Sequence, residues 1–339
     1  QKTKSTAEQK FTDQLKTLKE KKDSAESYLI YNDEAKASSE IMEAKNILAG
    51  ADCLTDTHQS ACSELQKQID ALALRVKKET IITPELIYDW SNITISLTGL
   101  AKINNKIIAF SKENPDLYVY DLLTKTSKTI TTDVNTSGFT AKAVPKENDY
   151  AIFVYNKNKL LQYNPVDDTM KTIEITYPND NTNITGLVIY NRKLYTIDAG
   201  NNQIYKHDNI KSGFGTGRIW IKDGSKISNP IDITIDGDVF VAENSGAISK
   251  FNAGKKEGFD ISIIDPRLTQ INNLWTYNDL QYLYILDTTQ NRLVILKKDG
   301  QLYKQLTSKT FLAPTGMAIE ETDRIGYVLD GNKLYKIGL

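Results

Sequence analysis

The chain has 339 residues, of which 40 % are hydrophobic and 25 % are charged, and its formal net charge is −1. A nearly neutral chain has no overall electrostatic attraction to nucleic acid or to an anionic membrane, so we expect no nucleic-acid partner. No run approaches the ~18 apolar residues of a membrane span, and no signal peptide follows Gln1. Any attachment to a membrane would therefore depend on an anchor upstream of Gln1.

The first 79 residues predict helices. They contain one glycine, no proline and many Lys, Glu, Ala, Gln and Leu residues, which are strong helix formers. Apolar residues recur every three or four positions, as in Phe11, Leu15 and Leu18. This spacing produces narrow apolar stripes of the coiled-coil type.

A turn interrupts these stripes at residues 50–57, where a glycine is followed by polar residues suited to a new N-cap. We predict one long or broken helix over about 5–49, reversing into a second over about 58–79. Residues 1–82 would then form an α-helical coiled-coil hairpin. Such a hairpin could act as a stalk or as the arm of a homodimer.

Two cysteines, Cys53 and Cys62, flank this turn and are the only two in the chain. A disulfide between them would join the ends of the two helices and would indicate an oxidising, extracytoplasmic compartment such as the periplasm or the cell surface. The alternative is a pair of reduced thiols in a cytosolic protein. A zinc site is not expected, because two sulfurs and the nearby His58 fall short of four ligands.

Residues 83–339 predict a mainly β structure, a six-bladed β-propeller. Short runs rich in Val, Ile, Tyr and Thr alternate with turns of Asn, Asp, Gly and Lys. One pattern, exemplified by residues 185–187 and 315–317, precedes two strands and recurs six times. Its spacing of about 40–48 residues is the length of a four-stranded blade.

The last copy of the pattern ends after its third strand, at Leu339. Its fourth strand must come from elsewhere in the chain. We predict that residues 92–97, just before the first copy, pair with the C-terminal blade, since this would close the ring and remove its open edges.

An acidic residue ends the second strand in four of the copies: Asp198, Glu243, Asp287 and Asp330. At a tight turn a carboxylate accepts hydrogen bonds from main-chain N–H groups, so we predict structural rather than catalytic roles for these four.

These copies resemble NHL repeats and the related six-bladed propellers of the gluconolactonase and YWTD groups. The resemblance rests on Gly186 with residues 198–204, and on residues 287–293 and 330–334. It covers roughly residues 90–339 and implies the propeller architecture. The first two copies depart from the pattern, with Ser111 and Tyr155 where the acid would stand.

Enzymes that resemble these repeats hold a metal ion on the propeller axis. The inner-strand positions suited to this role are here mostly glycine: Gly99, Gly138, Gly186, Asp232, Asn273 and Gly316. Only Asp232, Asn272 and Asn273 offer oxygen atoms, and with waters they could hold a structural Ca²⁺. No other cofactor is expected, and the inner-strand glutamate of the gluconolactonase group has no counterpart. The two histidines, His58 and His207, are too few for a histidine-rich metal site.

A ring of mostly glycine positions, in a chain with 18 tyrosines, favours recognition over catalysis. Receptor-type bacterial Ser/Thr kinases look similar, since they carry NHL-like propellers outside the membrane. The resemblance implies a non-enzymatic, extracytoplasmic binding or sensor module, the ectodomain of a larger membrane-anchored protein. Its partner would be a protein or a small extracellular ligand on a propeller face. One alternative is a metal-dependent lactonase- or esterase-like hydrolase centred on Asp232, and another is an assembly role for the helical hairpin.

Overall fold

The computed structural model describes residues 2–53, 55–222 and 224–339. The chain divides into two compact units, Gln1–Thr80 and Ile81–Leu339. The first unit is helical, and the second contains six β-sheets. In the described part of the chain, no helix combines the length and the hydrophobicity needed to cross a bilayer.

The helical unit contains three helices, α1 (Lys2–Ile30), α2 (Glu34–Ala49) and α3 (Asp56–Val76). Of the two forms predicted over about 5–49, the helix is broken rather than continuous, because the chain turns at residues 31–33 and packs α2 against α1. Asn32 adopts a left-handed φ of 58° at this turn. Asp33 then caps α2, its side chain accepting a hydrogen bond from the Lys36 N–H at 3.1 Å.

The apolar stripes of the three helices meet in one core. The buried residues of this core include Phe11, Leu18, Ala25, Ile41, Ala44, Leu48, Leu65, Ile69 and Leu72. The disulfide predicted between Cys53 and Cys62 is confirmed, with the two Cα atoms 6.1 Å apart. It joins the segment before α3 to the second turn of that helix.

The second unit is a six-bladed propeller, as the repeats predicted. From the axis outward, the strands of blade 1 are Gly99–Ile103, Lys106–Phe110, Leu117–Asp121 and Thr126–Ile130. Those of blade 2 are Phe139–Ala143, Ala151–Tyr155, Lys159–Asn164 and Thr169–Thr176. Those of blade 3 are Ile184–Tyr190, Lys193–Asp198, Gln203–His207 and Arg218–Ile219. Those of blade 4 are Pro230–Ile235, Val239–Glu243, Ile248–Asn252 and Lys255–Glu257. Those of blade 5 are Asn273–Trp275, Tyr282–Asp287, Arg292–Lys297 and Leu302–Thr307. Those of blade 6 are Pro314–Glu320, Ile325–Asp330, Lys333–Gly338 and Glu85–Asp89. A short strand, Glu79–Ile81, spans the boundary between the units.

Blade 2 has two further strands, Asn209–Ile210 and Gly213–Thr216. Both belong to the segment that links the third and fourth strands of blade 3. Gly213–Thr216 pairs in parallel with Thr169–Thr176, the outer strand of blade 2. This excursion ties blades 2 and 3 together at their outer edges.

The strand that completes blade 6 is Glu85–Asp89, which pairs antiparallel with Lys333–Gly338. The ring therefore closes between the two ends of the unit, but the predicted donor, residues 92–97, is not a strand. A strand ending at residue 97 would leave one residue to cross from the outer edge of blade 6 to the inner strand of blade 1, about 14 Å away at three strand spacings. Residues 90–98 make that crossing instead, and the side chain of Asn332 holds them by accepting from the Leu97 N–H at 3.0 Å.

Six apolar clusters fill the spaces between neighbouring blades. Between blades 1 and 2, for example, Ile108 and Val119 lie in the same cluster as Phe139 and Phe153. Close-packed interiors of this kind are stiff. The six inner strands, which contact one another around the axis, are therefore held in fixed positions.

Candidate functional site

The inner strands line a central channel, and their register decides which side chains reach it. In each blade, one inner-strand residue lies opposite the equivalent position of the second strand, so the six residues share one level of the channel. They are Gly99, Ala141, Gly186, Asp232, Asn273 and Gly316. The sequence alignment placed Gly138 at the second of these positions. Ala141, three residues further along the chain, takes that level instead, and Lys142 follows it. The register shift just before this level is shared with blades 3, 4 and 6.

Two cavities, of about 80 and 260 Å³, lie along the channel. Both are lined by Leu100, Lys142, Asp232 and Asn273, so these four residues lie where the cavities meet. The smaller cavity is otherwise mostly apolar. Hydroxyl and amide side chains dominate the larger one: Thr98, Thr140, Asn183, Thr185, Asn272 and Thr315.

Asp232 is the carboxylate of this channel. One of its oxygens accepts a hydrogen bond from the Ile233 N–H and the other from the Leu274 N–H, both at 2.9 Å. The Asn273 side chain lies nearby and lowers the pKa of the carboxyl group. Burial nevertheless raises the pKa of Asp232 above its usual range, because these bonds and the charge of Lys142 offset the loss of water only in part.

Lys142 places an ammonium group in the same channel. Its Nζ lies 5.9 Å from the centre of the Trp275 ring, within the range of a cation–π contact. Burial lowers the pKa of Lys142, and the charge of Asp232 opposes that shift without a hydrogen bond between the two groups. The sequence analysis missed this residue, although a lysine between two alanines in a buried strand is an unusual pattern that could have indicated it.

Glycine at position 186 gives these charges room. It lies on blade 3, between the blades that carry Lys142 and Asp232. A Cβ atom there would lie 3.0 Å from the Cα of Asp232 and 3.4 Å from its Oδ1. Any side chain at this position would crowd the carboxylate.

Three polar atoms of channel-lining residues are buried and have no hydrogen-bond partner among the described residues: the Thr98 Oγ1, the Asn273 Oδ1 and the Trp275 Nε1. Unpaired buried polar atoms are uncommon in native proteins and often mark functional positions. The neighbouring Asn272 differs, because its Nδ2 donates to the Thr315 carbonyl oxygen at 2.5 Å.

The three residues predicted to hold a calcium ion, Asp232, Asn272 and Asn273, all line the larger cavity. They fit a divalent cation poorly. Calcium takes six to eight oxygen ligands, whereas this set offers one carboxylate already bonded to main-chain N–H groups, with the Lys142 ammonium beside it. In residues 2–53, 55–222 and 224–339, no three His, Cys, Asp or Glu side chains form a group that could hold a metal ion. The calcium site stays a prediction.

Three of the four predicted turn acids accept hydrogen bonds from main-chain N–H groups, Asp198 and Asp287 within the turn that follows and Asp330 from a preceding segment. Their structural role stays a prediction. Asp198 accepts from Gly200 at 2.9 Å, Asp287 from Thr289 at 3.1 Å, and Asp330 from Ala313 at 2.6 Å.

The fourth turn acid, Glu243, differs because its carboxylate accepts from the Ser249 hydroxyl. As far as the structure describes the two channel cavities, their linings contain none of the four acids.

Neither histidine is among the described residues that line the channel cavities. His58 belongs to the helical unit, where its ring stacks on Phe11 with the ring centres 3.6 Å apart. His207 is fully buried in blade 3, with its ring nitrogens 3.2 Å from the Thr196 Oγ1 and 2.9 Å from the Gly215 carbonyl oxygen. Burial lowers the pKa of His207 to about 4.

No protein-family model matches the chain, and no curated protein matches it significantly. Membership of the NHL or gluconolactonase groups therefore stays a prediction. Solved structures do match its fold. Virginiamycin B lyase from Staphylococcus aureus is 14 % identical at a TM-score of 0.56, over 76 % of this chain and 99 % of the lyase.

Two further structures give similar values. A protein of unknown function from Bacteroides thetaiotaomicron is 13 % identical at a TM-score of 0.57, over 76 % of this chain and 72 % of that chain. The structure of U3-55K is 9 % identical at a TM-score of 0.55, over 76 % and 98 %. At such identities the likeness shows the propeller fold alone.

Proposed function

We propose that this chain is a non-enzymatic, extracytoplasmic binding module that holds a small ligand in the channel of its propeller. One observation carries the proposal: Lys142 and Asp232 place opposite charges in the same channel without a hydrogen bond between them. Burying charged groups costs free energy unless they are paired, and a purely structural channel has no need of either. A ligand that pairs with them would offset that cost.

A binding role accounts for Lys142 and Asp232 better than histidine-based catalysis does. One structure of virginiamycin B lyase is of a catalytically inactive variant in which a histidine is replaced by alanine. Here His58 lies in the other unit and His207 is enclosed in blade 3, so neither supplies an acid or a base to the channel. Asp232 is held by two main-chain N–H groups, which suits a fixed recognition group.

A screen of small polar solutes by thermal shift tests the binding role. Solutes that raise the melting temperature of the wild type should have a much weaker effect on Lys142→Met and Asp232→Asn. Lys297→Met is the matched control, since Lys297 bonds to Gln301 at the surface, outside the channel. Stabilisation that persists in both channel variants would contradict the proposal.

The extracytoplasmic location is supported by the Cys53–Cys62 disulfide, because such bonds persist in oxidising compartments. We propose further that the chain is the ectodomain of a larger, membrane-anchored sensor. Alkylation of the protein in its source cells, without reductant, should find both cysteines blocked. Protease added outside intact cells, or outside spheroplasts for a periplasmic domain, should cleave it. Free thiols and full protection from protease would refute both statements.

A metal-dependent lactonase- or esterase-like hydrolase is the second candidate. The observation in its favour is that Asp232, Asn272 and Asn273 line one cavity. It predicts turnover of lactones or esters that rises with Ca²⁺, stops with a chelator and is lost in Asp232→Asn. Substrate binding without turnover at any metal concentration would favour the binding module.

A homodimer through the helical unit is a separate proposal about partners. Ile30 and Met42 on these helices, and Tyr31 in the turn between them, expose 73, 61 and 81 % of their surfaces. Sedimentation of the wild type and of Ile30→Lys/Met42→Lys tests it. A monomer in both cases would leave the helices as a spacer and exclude the assembly role.

A further inference from the structure

We infer that the channel ligand is a small zwitterion, an α-amino acid that binds with its carboxylate toward Lys142 and its ammonium toward Asp232. This inference rests on the proposed function and names the chemistry of its ligand. It comes from the way hydrogen-bond donors and acceptors are sorted around the channel.

Two hydrogen-bond donors come from residues that line the smaller cavity, Lys142 and Trp275. The Lys142 Nζ is near the Trp275 ring, and the Trp275 Nε1 is a buried donor without a partner among the described residues. An ammonium and an indole N–H both donate and cannot accept. Together they suit an anionic group such as a carboxylate, to which charge-assisted hydrogen bonds are strong.

The acceptors lie together. The Asn273 side chain lies close enough to Asp232 to lower its pKa, and the buried Asn273 Oδ1 has no partner in the described part of the chain. Each Asp232 oxygen accepts one main-chain N–H and keeps a lone pair for another donor. A ligand ammonium has three donors and can bond to both groups.

Charge balance argues against simpler ligands. Lys142 and Asp232 line the same two cavities, and each attracts the other's charge, whereas a second lysine, the exposed Lys112, lines the larger cavity only. An anion alone would gain from Lys142 but be repelled by Asp232, and a cation alone would meet the reverse. A zwitterion pairs with both residues and leaves the net charge of the channel unchanged.

The size and lining of the larger cavity agree with this class of ligand. Its volume of about 260 Å³ is below the ~300–1,000 Å³ of pockets for drug-sized molecules, so it suits a smaller solute. Thr140, Asn183 and Thr185 line the same cavity with polar side chains. These groups would contact the ligand's own side chain and favour polar amino acids.

Isothermal titration calorimetry of the full chain tests the inference. The probes are the proteinogenic amino acids and, for the tightest binder, its analogues without the amino group or without the carboxylate. For L-serine these are 3-hydroxypropanoate and ethanolamine, with glycerol as a neutral control. Removing one partner of a desolvated charge pair weakens binding by roughly tenfold or more. We expect that loss for each analogue and for Lys142→Met and Asp232→Asn, with Lys297→Met unchanged.

A third variant guards against effects of misfolding. Trp275→Phe keeps an aromatic ring and removes only the N–H donor, so we expect weaker binding of the amino acid with no change in melting temperature. Equal affinity for the amino acid and either analogue would overturn the zwitterion and leave the channel as a binding site. If only solutes other than amino acids bind, and Lys142→Met abolishes that binding, the zwitterion is also overturned and the channel remains a binding site. If no solute binds in a way that the channel variants change, both the inference and the proposed function fail.

Discussion

His207 makes the stability of the propeller depend on pH in a direction that can be worked out from its surroundings. The side chain is fully buried, and its two ring nitrogens are already used by Thr196 and Gly215. Burial penalises the charged ring and is the main cause of the lowered pKa, and the nearby Arg218 charge lowers it further. The pKa falls from 6.5 to about 4.

The direction in which stability changes with pH follows from the difference in proton binding between the folded and unfolded states. Above about pH 6.5 the ring is neutral in both states, so its titration does not affect stability. Between pH 6.5 and 4 the unfolded chain binds a proton that the folded chain does not, so the free energy of unfolding falls as the pH falls. A shift of one pKa unit corresponds to about 1.4 kcal/mol, so His207 removes about 3 kcal/mol of stability over this range.

The assay compares denaturant unfolding of the wild type and of His207→Gln from pH 8 to pH 4. Tryptophan fluorescence follows the propeller, since Trp90, Trp220 and Trp275 all lie in that unit. Other titrating groups are common to both proteins and cancel in the difference. The wild type should lose about 3 kcal/mol relative to the variant between pH 7 and pH 4. A difference that stays constant with pH, or a wild type that gains stability in acid, would refute the reasoning.

Two further predictions concern the crosslink and a buried ion pair. Cys53→Ser/Cys62→Ser opens a loop of about ten residues, so far-UV circular dichroism should show the helical unit destabilised by ~2–3 kcal/mol. The fluorescence transition of the propeller should stay unchanged, and a shift of that transition would contradict the prediction. Arg292 is 1 % exposed and bonds to Asp287 at 2.8 and 2.9 Å, so Arg292→Ala should cost about 3–5 kcal/mol in urea unfolding by leaving a buried carboxylate without its counter-ion. Arg292→Met with Asp287→Leu should recover most of that loss, and no recovery would show that the charge was not the cause.

The architecture could be predicted because each blade repeats one local pattern. The six copies carry the same strand–turn–strand signals, and their spacing matches the blade length. The closing strand was misplaced because 85–89 and 92–97 have similar strand-forming composition. The distance across a blade, which excludes the second segment, is a property of the assembled ring.

The helical unit shows the same limit. The apolar spacing identified helices but not their number, since the break at residues 31–33 depends on Asn32 adopting a left-handed conformation. A short polar Tyr-Asn-Asp segment can continue a helix or end it. Packing of α2 against α1 decides between the two, and that contact is not visible in the local sequence.

Half of the candidate site was accessible from sequence. Asp232 and Asn273 were placed in the channel because the repeats align at those positions. Lys142 was not, because the Ser-Gly-Phe match at residues 137–139 aligned this copy three residues too early, whereas Ala141 holds the level in the structure. Without the lysine, the remaining oxygen atoms suggested a metal ion, whereas in the structure the positive charge near Asp232 is that of Lys142.

The most direct test of the account is the fluorescence of Trp275 in a protein with Trp90→Phe and Trp220→Phe. Trp275 is then the only tryptophan, and it lies in the channel beside Lys142. Titration with a bound amino acid should change its emission in a saturable way, at the concentrations that calorimetry gives, and Asp232→Asn should abolish the change. Binding detected by calorimetry with no response from Trp275 would place the ligand elsewhere and contradict the account.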